Sequence, residues 1–356
     1  MGTEKQTQKA NQSRTQKTES KTQKKMNQSI QRTGGCPDFV CLGFQKSGTT
    51  TLFEILKQHP DVVLCRDVKE PMFYRVPGFI QTVFQGQRFY QWRYFGHVDA
   101  DDPRLRGEIN AGLTFSACEK KMAKDLNPHA KLLFMMRDPV DRTYSAYKYF
   151  LARGFLPKKV VEDDLSSCHA EAFNRYVFDV LGSSRKRRQI MDKRMKYLIF
   201  SQSNYAACVR EYMKDFPLEN MHFIFFEEFI ADQHQVCQEL YDFLGITDPE
   251  GIDYHVKANE GKERPVSANA AKRFQIAKAI YQYALYEFGA MPRWAPNAYS
   301  HVKNHYRRVR AACLTKDEDK SKMLPQTREI LTDYYRDDVK DLAKITGKDL
   351  GKIWKF

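Results

Sequence analysis

A short run of lysine, serine, glycine and threonine has the composition of a loop that binds phosphate or sulfate. Residues 45–51 read Gln-Lys-Ser-Gly-Thr-Thr-Thr and lie between an apolar segment and a segment with helical spacing. Backbone N–H groups at the start of a helix form an anion site, and glycine lets the backbone approach the anion closely. A lysine adds positive charge and hydroxyls add donors. The predicted contacts come from five consecutive residues, Lys46, Ser47, Gly48, Thr49 and Thr50. An ordinary polar connection is the alternative interpretation.

This loop differs from the Walker A motif of kinases and GTPases. That motif, G-x-x-x-x-G-K-[ST], places its lysine directly after the last glycine. Here Lys46 precedes Gly48, and the Ser or Thr that would hold magnesium is not in that frame. A magnesium-dependent phosphoryl transfer enzyme is therefore a disfavoured alternative.

A second basic segment follows the apolar run 131–136. Arg137 stands at the expected carboxyl end of that strand, and Ser145 lies eight residues further on, about two helical turns away. A guanidinium offers paired donors to a phosphate, and the hydroxyl adds another. The segment is therefore a candidate for a second phosphate contact. In the alternative interpretation, Arg137 pairs with a nearby carboxylate and Ser145 has no role.

The elements that position these two segments alternate between strands and helices. Apolar runs predict strands at 39–43, 62–65, 131–136 and 222–226, and helical spacing predicts helices after 49, after Asp138-Pro139, at 233–244 and at 326–345. Such alternation is typical of an α/β fold. We predict three layers, α/β/α, around a central parallel sheet, with the ligand at the carboxyl ends of its strands.

Composition and charge limit the remaining possibilities. The chain has a formal net charge of +14 and 42% hydrophobic residues. The charge suits an anionic ligand, and the apolar content suits a large folded domain.

Residues 1–35 are polar and basic, which predicts a disordered tail, and residues 36–356 are predicted to form one domain. No run is long and apolar enough to predict a membrane span, and no His, Asp or Glu cluster has the spacing of metal ligands.

Together the two basic segments resemble the sulfotransferases that use 3′-phosphoadenosine-5′-phosphosulfate (PAPS). The Lys-Ser-Gly-Thr-Thr run resembles that family's 5′-phosphosulfate loop, and the stretch from Arg137 through Ser145 resembles its 3′-phosphate motif. The resemblance spans roughly residues 38–354. It implies a P-loop-like sulfotransferase fold, PAPS as co-substrate and no metal.

Three further segments resemble the carbohydrate, or Golgi-type, branch of the family. Lys69-Glu70-Pro71 is similar to a segment that carries a catalytic carboxylate, the region 205–228 to the branch's central region, and 323–354 to its C-terminal signature. The greatest similarity is to N-acetylgalactosamine 4-sulfate 6-O-sulfotransferases, with heparan sulfate enzymes more distant. Two departures are visible. Met72 replaces a common His, and the basic loop near Lys320 and Lys322 lacks the branch's Gly-Arg.

The resemblance implies a role for each candidate residue. Glu70 would be the general base that takes the proton of the acceptor hydroxyl, and Lys46 would stabilise the leaving group. The loop from Lys46 to Thr50 would bind the 5′-phosphosulfate and Arg137 and Ser145 the 3′-phosphate. Lys320 and Lys322 are further candidates for PAPS binding. A salt bridge of Glu70 with Lys69 or Arg75 is the alternative to a catalytic role.

The implied acceptor is a hydroxyl of an anionic, glycosaminoglycan-like carbohydrate. Three alternatives are a protein tyrosine, a lipid or a small alcohol, used by the same fold. A non-catalytic protein that binds polyanions or nucleic acid is a further alternative, although no specific nucleic-acid partner is predicted. The resemblance implies the Golgi lumen, whereas the N-terminus shows no signal peptide, so the sequence leaves the compartment and the oligomeric state undetermined.

Overall fold

Five parallel strands form the central sheet of the part of the chain that the structure describes. In a computed structural model, the described residues are 37–66, 69–71, 90–111, 124–181, 199–256, 263–286, 296–354 and 356. The strands are β1 (Phe39–Cys41), β2 (Val62–Leu64), β3 (Leu105–Ile109), β4 (Lys131–Met136) and β5 (Met221–Phe225). Their order in the sheet is β2-β3-β1-β4-β5, and each neighbouring pair runs parallel.

Helices connect these strands and extend beyond them. The helices are α1 (Thr49–Leu56), α2 (Pro139–Ala152), α3 (Lys158–Leu165), α4 (His169–Leu181), α5 (Tyr205–Met213), α6 (Phe226–Ala231), α7 (Gln233–Leu244), α8 (Ala268–Tyr286), α9 (Pro296–Cys313), α10 (Pro325–Thr346) and α11 (Leu350–Trp354). Two short strands, β6 (Glu263–Pro265) and β7 (Leu314–Lys316), pair antiparallel at the two ends of the α8–α9 segment.

The side chains of the central strands alternate between two apolar cores, because successive residues of a strand point to opposite faces. In β4, Leu132 and Phe134 belong to one core, while Leu133 and Met135 belong to the other. Helices α2, α4, α5 and α10 contribute to the first core, and α1 and α7 contribute to the second. The predicted α/β/α layering is therefore confirmed.

The topology brings the two predicted anion-binding segments to one edge of the sheet. Strands β1 and β4 are direct neighbours, with Phe39 opposite Lys131 and Cys41 opposite Leu133. Both strands run in the same direction, so the loops that follow them emerge side by side. Lys46 and Arg137 stand in these two loops.

Most of the predicted elements occur close to their predicted positions. The strands at 62–64 and 221–225 and the helix at 325–346 match the sequence patterns. Asp138 caps α2 as predicted, because its side chain accepts hydrogen bonds from the backbone N–H groups of Val140 (2.8 Å) and Asp141 (3.2 Å). Strand β3 was not predicted. Its sequence, Leu-Arg-Gly-Glu-Ile, carries two charged residues and a glycine, yet all five residues are buried.

Some sequence predictions lie outside the described residues. These include the tail 1–35 and the segment from Met72 to Arg75. The single-domain boundary at 36–356 stays a prediction. Within the described ranges, no helix combines the length and the apolar character needed to cross a bilayer.

Candidate functional site

The loop after β1 has an unusual backbone that its sequence makes possible. Lys46 has a φ of 75° and Gly48 a φ of 94°, both in the left-handed region. A Cβ atom at Gly48 would lie 2.7 Å from the Phe226 ring, so glycine is required there for space as well as for conformation. Lys46 has no such freedom, and left-handed backbone at a non-glycine residue is a strain that is often found at ligand sites.

Ser47 is the clearest sign of a ligand at this loop. Its side chain is completely buried, and its Oγ has no hydrogen-bond partner among the described residues. A buried hydroxyl without a partner is destabilising by roughly 1–3 kcal/mol. Helix α1 begins two residues later, at Thr49. The first N–H groups of this helix lack helical partners and lie close to Ser47. A phosphate or sulfate oxygen would satisfy both.

Lys46 lies in a cluster of positive charge. Its ammonium nitrogen is 5.2 Å from the centroid of the Tyr149 ring. Burial, followed by the charges of Arg137 and Arg153, lowers the pKa of Lys46 to about 8. Among the described residues no carboxylate pairs with Lys46. Converging cations without anions repel one another, and an anionic ligand would remove that repulsion.

Arg137 follows β4 and is linked to the loop of Lys46. Its guanidinium carbon is 5.0 Å from the centroid of the Phe226 ring, the ring that also packs against Gly48. Its carbonyl oxygen accepts a 2.8 Å hydrogen bond from the Tyr205 hydroxyl. The charge of Arg137 acts on the pKa of Lys46, so the two basic segments face one another. Ser145 is half-buried, two turns into α2.

A fully buried arginine fixes these two segments together. The Nε of Arg142 donates to the carbonyl oxygen of Gln45 (3.0 Å), directly before Lys46. The same guanidinium donates to the Ile199 carbonyl oxygen (2.8 Å) and the Gln202 side chain (2.7 Å). Arg142 is thus a positioning residue, because its donors are used within the protein. Sequence reasoning gave Arg142 no role.

The C-terminal helices hold the start of α2. Arg328 on α10 bonds to Asp138 (3.3 Å) and pairs with Asp141. Trp354 on α11 donates to Glu227 (2.9 Å), and Glu227 accepts from the backbone of Asp138 (3.0 Å). Two residues of the C-terminal signature therefore support the arginine segment structurally.

The predicted base Glu70 lies beside the anion-binding loop. Lys69 connects the two: its ammonium donates to Thr49 Oγ1 (2.8 Å) and Thr50 Oγ1 (3.1 Å) and lies 3.5 Å from Glu70 Oε1. The Glu70 side chain is 43% exposed, so it is open to a substrate. The salt bridge with Lys69 is present, and it places the carboxylate at the loop. Lys69 is a site residue that sequence reasoning missed, although it belongs to the Lys-Glu-Pro segment.

Glu108 and Asn110 are buried beneath this carboxylate segment. Glu108 accepts a hydrogen bond from Asn110 (2.8 Å) and one from the Tyr90 hydroxyl, and Asn110 also donates to the Pro71 carbonyl oxygen (2.8 Å). Asn110 therefore fixes the backbone next to Glu70. No pattern in the sequence of β3 would have revealed this contact.

Lys320 and Lys322 lie on an exposed loop that α2 and α4 anchor. Both lysines are exposed, whereas Ser321 between them accepts from the Ala170 N–H (3.2 Å) and its carbonyl oxygen accepts from the Tyr144 hydroxyl (3.0 Å). Tyr144 precedes Ser145 in α2. The loop thus lies near the predicted 3′-phosphate residues, while contact of the lysines with PAPS stays a prediction.

Comparison with known proteins identifies the family. Residues 36–283 match the model of the sulfotransferase domain. The heparan sulfate glucosamine 3-O-sulfotransferase 3B1 of Mus musculus is 26% identical over 215 residues, which cover 59% of this chain and 46% of that protein. The bifunctional heparan sulfate N-deacetylase/N-sulfotransferase of Drosophila melanogaster is 23% identical over 254 residues, covering 67% of this chain and 22% of that protein.

A solved structure supports the same fold. A sulfotransferase from Alicyclobacillus acidocaldarius is similar with a TM-score of 0.54 and 22% identity, covering 90% of this chain and 99% of that one. The chain belongs to the sulfotransferase domain family, whose members use PAPS as the sulfuryl donor. The match spans about half the length of the first curated relatives. The buried Ser47 hydroxyl and the unpaired cations around it fit a phosphosulfate group.

Proposed function

We propose that this chain transfers a sulfuryl group from PAPS to a hydroxyl group of a glycosaminoglycan-like carbohydrate. The observation that carries the proposal is that Lys46 and Arg137, which have no carboxylate partner among the described residues, lie with the buried Ser47 hydroxyl at the carboxyl ends of β1 and β4. A ligand with phosphate groups at both ends of a nucleoside suits two such adjacent sites.

Each site residue then has a role in an in-line transfer. The acceptor oxygen bonds to sulfur while the bond from sulfur to the 5′-phosphate oxygen breaks, and that oxygen keeps the electron pair. Glu70 takes the hydroxyl proton. Lys46 stabilises the charge that develops on the leaving oxygen. Ser47 to Thr50 bind the 5′-phosphate, and Arg137 and Ser145 bind the 3′-phosphate.

The proposed acceptor rests on the relatives and on charge. Three of the relatives that match this chain are named for heparan sulfate. None of those three is named for N-acetylgalactosamine 4-sulfate, so heparan-type glycans are the first acceptors to test. A net charge of +14 is consistent with an anionic chain as substrate.

Binding and transfer should be measured separately. We expect the purified protein to bind adenosine 3′,5′-bisphosphate in calorimetry. It should also transfer label from radiolabelled PAPS to heparan sulfate or chondroitin sulfate, in a panel that also contains phenols and alcohols.

Lys46→Ala should lower kcat by about 10²–10³-fold. Arg137→Ala should weaken binding of the bisphosphate. Lys214→Ala and Arg336→Ala, which remove similar charges from the exposed surface, should behave as wild type.

Two outcomes would overturn the proposal. Absence of affinity for the bisphosphate in the wild-type protein would remove the donor site. Salt-dependent binding of glycans or nucleic acid without any transfer to the panel would favour the polyanion-binding alternative.

A further inference from the structure

Lys278 is a buried cation that the proposed transfer does not use. It lies in α8, its side chain is only 9% exposed, and none of the described residues forms a hydrogen bond or an ion pair with it. Its ammonium instead lies 5.9 Å from the centroid of the Tyr149 ring and 6.0 Å from that of Phe155. A buried charge without a partner is strongly unfavourable, which indicates that a ligand completes its surroundings.

The packing of α8 places this lysine close to the end of α2. Gly154, in the turn after α2, has a φ of +68°, and a Cβ atom there would lie 2.0 Å from the carbonyl oxygen of Ala271. Only glycine permits this approach. Lys278 follows Ala271 by seven residues and therefore lies on the same face of α8. Lys278 and Arg153, the neighbour of Gly154, both approach the ring of Tyr149.

The ring of Tyr149 links Lys278 to the donor loop, because Lys46 approaches the same ring. The Arg153 guanidinium carbon lies 4.9 Å and the Lys46 ammonium 5.2 Å from the centroid of this ring. Three cations therefore surround one aromatic side chain, an arrangement that the ring's negative faces favour. Burial, and next the charge of Arg153, lowers the pKa of Lys278 to about 7, while the charge of Glu70 opposes this. Glu70 is linked to the same loop, because Lys69 lies 3.5 Å from Glu70 and donates to Thr49 and Thr50.

We propose that Lys278 and Arg153 form an acceptor subsite that binds a sulfate or carboxylate of the glycan next to the hydroxyl that receives the sulfuryl group. The inference rests on the proposed function, because it takes the side of Glu70 as the acceptor side. Charge pairing at this subsite holds the acceptor hydroxyl at Glu70. The donor side has its own cations in Lys46, which approaches the same Tyr149 ring, and Arg137, which approaches the Phe226 ring.

The test compares Lys278→Met with Lys272→Met. Both changes remove one lysine charge from α8, but Lys272 is exposed and its ammonium donates to the side chain of Gln275 (3.0 Å) on the same helix. Equilibrium binding should be measured with a heparin hexasaccharide, its fully desulfated form, a carboxyl-reduced form and adenosine 3′,5′-bisphosphate. Lys278→Met should weaken hexasaccharide binding by about tenfold, the loss of one charge-assisted hydrogen bond, and leave bisphosphate binding unchanged. Lys278→Arg should restore the affinity.

Each result has a defined meaning. If Lys278→Met and wild type bind the desulfated form equally well, the bound group is a sulfate. If they bind the carboxyl-reduced form equally well, the bound group is a carboxylate. Equal weakening of bisphosphate binding would assign Lys278 to the donor side and overturn the inference. Behaviour like that of Lys272→Met, or no hexasaccharide binding by the wild type, would also overturn it. If the wild type still binds the bisphosphate and transfers sulfate in those cases, the proposed function survives.

Discussion

The donor side and the acceptor side of this site are built in different ways. The proposed donor side consists of short loops after two adjacent strands, and a hydrogen bond from Arg142 on α2 fixes the first of these loops. The acceptor side combines the half-exposed Glu70 with Lys278 from a helix that lies outside the sheet. A shared donor can be bound by a fixed scaffold, whereas acceptor choice is adjusted by elements added around it.

The largest expected effect separates chemistry from donor binding. Glu70→Gln keeps the size of the side chain and removes its basicity. We expect kcat to fall by about 10²–10³-fold, because general-base catalysis contributes on that order. Binding of adenosine 3′,5′-bisphosphate, measured by calorimetry, should not change, since Glu70 lies on the acceptor side. Glu219→Gln, at an exposed position, is the control, and a loss of bisphosphate affinity in Glu70→Gln would break the distinction between the two sides.

A second substitution tests the rigidity of the donor side. Arg142→Met removes a buried guanidinium that donates to Gln45, Ile199 and Gln202. We expect the free energy of unfolding to fall by about 3 kcal/mol, because several buried acceptors lose their partner. Urea denaturation measures this loss, with Arg336→Met as the exposed control. A change within the error of the control would show that the loop before Lys46 does not depend on Arg142.

The elements that carry the proposed donor side could be predicted because their signals are local. The loop of Lys46 and the Asp138-Pro139 cap each lie within a few residues, next to strands that are almost entirely apolar. Backbone rules therefore place them without knowledge of the rest of the chain. Its position at a strand end marked Arg137 in the sequence, whereas the role of Arg142 shows only in its burial and its hydrogen bonds.

Apart from Glu70, which the family resemblance indicated, the acceptor side could not be predicted, because its contacts join distant parts of the chain. Lys278 meets Tyr149 across 129 positions of the sequence, and nothing in the spacing of α8 marks this lysine among its neighbours. The strand β3 was missed because charged residues interrupt its apolar pattern. Glu108 is buried there only because Tyr90 and Asn110 donate to it.

A pH-dependent contact connects the ends of the α8–α9 segment to α2, and its loss should have a smaller effect. His169 is buried between Asp164 (2.8 Å) and Asp317 (2.9 Å), and Asp164 also faces Tyr147 and Arg264. Burial opposes protonation, but the two carboxylates outweigh it and raise the pKa of His169 above 6.5. The resulting stabilisation is therefore complete below about pH 6.5 and is lost as the pH rises through the folded-state pKa.

His169→Gln removes this titration. Below pH 6.5 we expect the variant to be less stable than wild type by about 1.5 kcal/mol, the contribution of a charged hydrogen bond. The difference should shrink as the pH rises. Thermal unfolding between pH 5 and pH 9 measures it (about the range in which histidine titrates). His234→Gln, at an exposed histidine that bonds to Asp248, provides the comparison. A stability difference that grows with pH would contradict a raised pKa at His169.

The smallest expected effect concerns Lys320 and Lys322, and it asks whether the two sides are separate at all. Both lysines are exposed, and exposed ion pairs contribute at most about 1 kcal/mol. Lys320→Met and Lys322→Met should therefore weaken bisphosphate binding by no more than about fivefold. The loop itself is fixed: Asp319 accepts from the backbone of His169 (2.6 Å) and Ser321 (2.7 Å). A loss well above tenfold in calorimetry would mean that the loop closes over the donor. In that case the α8–α9 segment, which leads into this loop through β7, would contribute to donor binding as well as to acceptor binding.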